Sequence, residues 1–357
     1  MTTFLHETFL QLIRLGIGTS KDATIANDID WVALKVLAKQ HGLSAVVLDG
    51  IDKLNTNGLP LQMKLKWIGQ VMQEEQRYSI QWQMSCDLAN LLAKEGIKTY
   101  VLKGVVVSEC YPSPKHRCSV DLDCYLKSNT GNKDVWETGN AVVEQAGYKV
   151  ERDFYKNSTF ILPGLIVENH KYLTPFRGNK NLTAFEQLLQ ELFRQDQGED
   201  CFESTNLYRP SVMITALFLI EHAYSHFLHE GLTWRHVLDW MMFSKRHDNE
   251  IEWNQLDKWI DEFGFRGFYN SFLSIGRYLL GEIVEEELSD KDNLLLSDIW
   301  APLDLHETVR GVKGKFALAG NTWRARWKYR YFTEMSWITA LWIQVKGFLF
   351  MKEPKLS

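Results

Sequence analysis

Apolar residues recur three and four apart through the first part of the chain, at Trp31, Leu34, Leu37 and Ala38 and again at Trp67, Ile68, Val71 and Met72. That spacing is one helix face turned toward a core. The turn-rich LNTNGLP around Asn55 to Pro60 separates two such runs, and the second predicts one long amphipathic helix from Leu61 to Lys94, stopped by Gly96. From Gly96 the pattern changes to short apolar runs, KTYVLKG and VDLDCYL. A helical stretch near Val135 to Gln145, ended by Gly147, comes next, and then YKVER, TFIL and LIVENHKYL. This reads as strand, helix, strand, helix and further strands. Pro163-Gly164 marks a turn, which predicts that TFIL and LIVENH form a hairpin beside the strand of VDLDCYL in a mixed sheet. Beyond about residue 180 helical periodicity returns through FEQLLQELFRQ, PSVMITALFLIEHAYSHFLHEG and HVLDWMMFSKRH. The expected fold class is α/β of the α+β kind, a small mixed sheet flanked by helical segments. Its expected parts are an N-terminal helical segment over 1–95, a sheet core over 96–180 and a C-terminal helical domain over 181–357.

Composition narrows this picture. A chain of 357 residues can bury a substantial core without disulfides. Its five cysteines, Cys86, Cys110, Cys118, Cys124 and Cys201, are odd in number and contain no CxxC pair, which argues against a disulfide framework and a zinc ribbon and fits a reducing cytosol. Lys and Arg total 40 against 45 Asp and Glu, so the net charge of -5 gives no global footprint for nucleic acid, which is not a favoured partner. The N-terminal MTTFLHETFLQLIRLG carries Glu7 within its apolar stretch and lacks a basic leader, so it reads as a folded helix rather than a secretion signal. No uncharged run reaches the roughly 18 to 20 residues of a membrane span, and a cytoplasmic protein is expected.

The chemistry concentrates in RCSVDLDCYL. In an extended strand residues i and i+2 project from one face, so Asp121 and Asp123 converge on one point and repel each other unless a cation lies there. Hard divalent ions take oxygen ligands and bridge carboxylates to phosphates, so the pair points to Mg2+ or Mn2+ and nucleotide chemistry. An isolated Asp-x-Asp is most often a solvated strand end, but this one sits in an otherwise apolar strand after a strand and glycine turn. The hairpin that follows carries Glu168. With that register three carboxylates meet, whereas a one-residue slip would turn Glu168 away and leave Glu151 or Asp153 in its place.

This order of strand, glycine turn, helix and Asp-x-Asp strand, with a third carboxylate on a neighbouring strand, resembles the polymerase-beta-like nucleotidyltransferase superfamily. More closely, LKG at Leu102 to Gly104, Tyr111-Pro112, Arg117 and DLD at Asp121 to Asp123 look like the uncharacterised nucleotidyltransferase family called NTP_transf_5, and HAYSHFLHEG and WRHVLDW resemble its helical part. The resemblance spans roughly Lys98 to Trp240. It departs from the wider superfamily at the turn, where Lys103-Gly104 replaces Gly-Gly or Gly-Ser. The resemblance implies transfer of a nucleoside monophosphate from an NTP to a hydroxyl acceptor such as a sugar, a metabolite, a protein or an RNA end. It gives Asp121 and Asp123 the metal, and Glu168 a second metal or the proton of the incoming hydroxyl. Gly104 would let the backbone and the helix after it approach the phosphates, with Lys103, Arg117 and Ser119 adding contacts. For Lys103 and Arg117 a plain ion pair with some carboxylate is an equal reading.

His222 and His226 are i and i+4 on a predicted helix, a spacing that zinc sites use, yet the HExxH motif of zinc hydrolases is absent because position 223 is Ala. Packing, lining of the nucleotide cleft and a zinc hydrolase are the three readings in falling order. His170, two residues beyond Glu168 on the same face, is a further residue for the cleft. Arg235 and Asp239 can pair across a helical turn. Near the C-terminus WRARWKYRYF interleaves Arg324, Arg326, Lys328 and Arg330 with aromatics, which suits a docked helix with a basic face better than a nucleic-acid or membrane surface. A protein that keeps the fold and binds nucleotide without turnover is the alternative to an enzyme.

Overall fold

The computed structural model describes residues 3–25, 28–54, 58–128, 134–152, 155–176, 178–196, 202–301, 320 and 323–349. Three helices open the chain, α1 (Phe4–Ile17), α2 (Trp31–Gln40) and α3 (Ser44–Asp52). Two glycines let α1 and α3 touch backbone to backbone: a Cβ on Gly16 would lie 2.1 Å from the Val46 carbonyl oxygen and one on Gly50 2.0 Å from that of Leu12. The expected long helix follows as α4 (Leu61–Ala93) and gives way to β1 (Ile97–Val101) through Gly96, whose φ of +70° suits a glycine.

The sheet is mixed, as its sequence pattern predicts. Around it run α5 (Val105–Ser108), β2 (Asp121–Ser128), α6 (Val135–Gln145), β3 (Val150–Glu151), the hairpin of β4 (Asn157–Leu162) and β5 (Leu165–His170), α7 (Lys180–Gln195) and β6 (Leu207–Tyr208). The six strands lie in the order β3-β4-β5-β2-β1-β6, with β5 parallel and β1 antiparallel to β2. The alternation of side chains splits β2 between two environments. Leu122, Cys124 and Leu126 join Leu88 and Leu92 of α4 and Val143 of α6 in one hydrophobic cluster. Asp121, Asp123 and Tyr125 point the opposite way, where the Tyr125 ring packs tilted 4.4 Å from that of Phe193 of α7.

The rest is helical: α8 (Val212–His229), α9 (Trp234–Arg246), α10 (Trp253–Glu262), α11 (Arg266–Leu280), α12 (Asp290–Trp300), α13 (Arg326–Phe332) and α14 (Trp337–Leu349). These helices and α1 to α3 bury their apolar faces in one continuous cluster. Arg14 of α1 donates to the carbonyls of Tyr278 and Leu279 at 2.7 and 2.8 Å, capping the C-terminal end of α11. Of the basic residues in WRARWKYRYF, Lys328 is not on a surface. It is fully buried and donates to Asp298 Oδ2 at 2.7 Å and to the Phe227 carbonyl at 2.6 Å, while Arg326 and Arg330 lie over Trp323 and Tyr331. Among the described residues no helix is long and apolar enough to cross a membrane, and Cys86, Cys110, Cys118 and Cys124 are free thiols. Cys201 lies outside the described residues.

Between α5 and β2 the chain makes a single 3-10 turn over Pro114–His116, and His116 ties that turn to the helices behind it. Its Nδ1 lies 2.6 Å from Asp49 Oδ2 of α3 and its Nε2 3.0 Å from Glu75 Oε1 of α4. The hydrogen bond to Asp49 leads in raising the imidazole pKa above 6.5. A group whose folded pKa is raised contributes stability that is fully present below its unfolded pKa and is lost as pH rises through the folded value. Wild-type protein is therefore expected to exceed His116→Gln in unfolding free energy by on the order of 1 kcal/mol below pH 6.5, the gap closing as pH rises, as measured by urea unfolding across pH. A gap that widens with pH would contradict this pairing.

Candidate active site on strands β2 and β5

The parallel register of β2 and β5 sets Asp123 opposite Glu168 and Tyr125 opposite His170. Asp121, Asp123, Glu168 and His170 thus share one face of the sheet. A buried polar bridge on the opposite face fixes that register, where Asn140 Oδ1 of α6 accepts from Ser158 Oγ at 2.7 Å and from Asn169 Nδ2 at 2.9 Å. A slip by one residue would break the bridge and send Glu168 to the apolar side. Glu151, the substitute considered for Glu168, sits on edge strand β3 and pairs with Lys149 at 2.7 Å. Asp153 lies outside the described residues.

Asp123 is only 3% exposed. Its Oδ1 lies 2.9 Å from His170 Nε2, and its Oδ2 lies 2.8 Å from Lys103 Nζ, an ionic contact without hydrogen-bond geometry. Lys103 also lies 3.8 Å from Asp121 Oδ1 and 3.3 Å from His222 Nε2. Burial pulls its ammonium down to about 8, against the nearby Asp121 that raises it. The Glu168 carboxyl is pushed up by burial and then by the charge of Asp121. Gly104, with φ of +68°, turns the chain out of β1, and Ser119 Oγ, which donates to the Asp121 carbonyl at 3.0 Å, stands 3.4 Å from where its Cβ would be. The helix after Gly104 is the single turn α5, and so brings little of the macrodipole expected to face the phosphates.

The donor set fits a cation. Asp123, Glu168 and His170 each offer a ligand atom, all within 4.8 Å of one another, and Asp121 adds a carboxylate on the same face. Burial holds His170 neutral, well below its usual pKa, so the ring carries one proton. Yet its two nitrogens both face acceptors, Nδ1 the Tyr172 carbonyl at 3.2 Å and Nε2 the Asp123 carboxylate. With its proton on Nε2 the ring donates to Asp123, and with its proton on Nδ1 the Nε2 lone pair faces the acidic centre and can take a cation. Asp123 Oδ2, buried and without a hydrogen-bond donor, can ligate once the Lys103 ammonium 2.8 Å away gives way.

Arg117 is not at this site. It is 2% exposed, and its guanidinium grips Asp239 of α9 through Nε–Oδ1 at 3.1 Å and Nη2–Oδ2 at 2.7 Å, with the Tyr111 hydroxyl donating to the same Oδ1 at 2.7 Å. Burial would raise the Asp239 carboxyl, but Arg117 beside it outweighs burial and holds it below the carboxylate range. The phosphate contact read from the sequence is thus replaced by an internal strut, of the ion-pair kind that reading also allowed. The expected Arg235–Asp239 pair is displaced by it, and Arg235 Nη1 donates to the Cys118 carbonyl at 3.3 Å instead. Local spacing showed Arg235 next to Asp239 but could not show an arginine 122 residues away.

His222 and His226 do share a helix face, and His222 reaches Lys103. The sequence reading did not join them to His236, which α9 brings against both, with ring centroids 5.7 and 4.5 Å away. No spacing rule connects two helices in this way.

Residues 27–281 match the family described as uncharacterised nucleotidyltransferase, and the chain belongs to it. No curated protein and no solved structure matches the chain.

Removing one partner of a buried ion pair leaves the other charge uncompensated, at about 3–5 kcal/mol. Asp239→Ala is expected to lower the unfolding free energy by that amount in urea titrations. A loss under about 1 kcal/mol would mean that Arg117 finds water or another anion.

Proposed function

We propose that the acidic face of β2 and β5 is the centre of a metal-dependent nucleotidyltransferase, moving a nucleoside monophosphate from an NTP to a hydroxyl acceptor. The observation that carries this reading is the pairing of Asp123 with Glu168 across two parallel strands, which gathers three carboxylates where a cation is needed. Membership of a nucleotidyltransferase family supports it. Asp121 and Asp123 would hold the divalent ion, Mg2+ or Mn2+, which when bound neutralises phosphate charge as a Lewis acid. Glu168, its proton affinity raised by burial and by Asp121, is suited to take the proton of the acceptor hydroxyl. The acceptor oxygen then bonds to the α-phosphorus, the bond to the β-phosphate oxygen breaks, and pyrophosphate leaves with its electron pair. Lys103, in contact with both aspartates, would meet the incoming phosphates, and Gly104 would leave room for them beside Ser119. His170 orients Asp123 from behind.

One observation favours a second reading, nucleotide binding without turnover: the Lys103 ammonium lies against both aspartates, where a metal ion would sit. Incubation with each α-phosphate-labelled NTP and Mg2+ or Mn2+, with cell extract as acceptor source, separates the two. Label transferred to an acceptor by wild type, and reduced by on the order of 10³ or more in Asp121→Asn/Asp123→Asn, supports transfer. Nucleotide binding with no transfer from any NTP supports the second reading. Lys103 and a divalent ion compete for Asp123, so Lys103→Met is expected to bind Mn2+ about tenfold more tightly, by paramagnetic resonance titration, while its transfer rate falls. Unchanged Mn2+ affinity would remove Lys103 from the competition.

A further inference from the structure

His222 and His226 stand one turn apart on α8, and α9 brings His236 across to them, so that each imidazole offers a nitrogen within 4.8 Å of the others. The rings of His222 and His226 are 4.4 Å apart, and those of His226 and His236 stack at 4.5 Å. Three features of this cluster exceed what packing requires. His226 Nδ1 lies 3.0 Å from Glu230 Oε2, close enough for the carboxylate to hold a ring proton there and leave Nε2 as a lone pair. His222 Nε2 is likewise a lone pair, since it accepts from the Lys103 ammonium. His236 is 8% exposed, and its Nε2 is buried without any hydrogen-bond partner. In that ring Nδ1 accepts from the Thr233 N–H at 3.1 Å, so the proton sits on Nε2, a donor with no acceptor. The opposite tautomer is also provided for, because Thr233 Oγ1 lies 3.0 Å from Nδ1 and can accept its proton.

We propose that His222, His226 and His236 form a zinc site, distinct from the carboxylates of β2 and β5 and adjoining them through Lys103. Three imidazoles are a borderline-soft donor set that suits Zn2+ over Mg2+ or Ca2+, and three protein ligands leave a fourth position for water or an oxyanion. Binding shifts the His236 proton from Nε2 to Nδ1, where Thr233 Oγ1 accepts it, at the cost of the Thr233 N–H bond. No proton is released in that exchange. It also takes the His222 lone pair from Lys103, leaving the ammonium to Asp121 and Asp123. The site does not rest on the nucleotidyl-transfer reading, because none of its ligands is a carboxylate of the acidic face.

The test uses the full chain, stripped with chelator and titrated with Zn2+ against a chromophoric competitor and with Co2+ as a visible-absorption probe. Wild type and Asp121→Asn/Asp123→Asn are both expected to take up one zinc per chain and to give the absorption of tetrahedral cobalt. His226→Gln and His236→Gln are expected to lose on the order of 100-fold or more in affinity. Glu230→Gln, an exposed change that spares the fold, is expected to lose about tenfold through its orienting role. Circular dichroism checks folding of each variant. Absence of stoichiometric zinc in wild type, or zinc that survives in a folded His236→Gln, overturns the proposal. So does zinc lost only with the aspartates, which would place the ion on the acidic strands.

Discussion

A carboxylate that is almost out of water has to be answered by positive charge or by donors, and Asp123 imposes that requirement on everything around it. Lys103 and His170 meet it from two sides, and Asp121 and Glu168 sharpen it by adding like charge on the same face. The groups near it show the cost: the Lys103 ammonium is pulled down, the Glu168 carboxyl is pushed up and His170 is held neutral. A site under this tension has a use for a divalent cation that a solvated strand end lacks.

Such tension persists only on a rigid frame. The Asn140 bridge locks β5 in register, and the Arg117–Asp239–Tyr111 cluster joins the segment before β2 to α9. His116 fastens the same segment to α3 and α4. The loop between β1 and β2 is therefore held at both sides, which keeps Lys103 and Gly104 in place against the aspartates. His222 of α8 meets the acidic face through Lys103, and α9, which carries His236, is tied to the same loop by Asp239.

What the sequence disclosed follows from the range of the forces involved. Helix periodicity, the stops at Gly96 and Gly147, the Pro163-Gly164 turn and the Asp-x-Asp spacing are local, and the mixed sheet between helical segments could be read from them. The register that brings Glu168 to Asp123 was readable only as one of two choices, because the bridge that decides it runs through Asn140, whose role no pattern marks. The destiny of Arg117, the burial of Lys328 and the meeting of His236 with His222 and His226 depend on partners in other elements, which spacing does not encode. Strand β6 is two residues long and has no periodicity to detect.

The cap that Arg14 places on α11 also bears on how the chain reaches its fold. The carbonyls it holds belong to Tyr278 and Leu279, which leave the ribosome 264 and 265 residues after it. At about 5–20 residues per second, α1 waits between about 13 and 50 s for that partner. During the wait it can lean on α3, through the glycine-lined contact, but not on the helices that later cover it. Helix α1 is thus made well before the elements that complete its packing, and its apolar face stays partly uncovered until the C-terminal helices arrive.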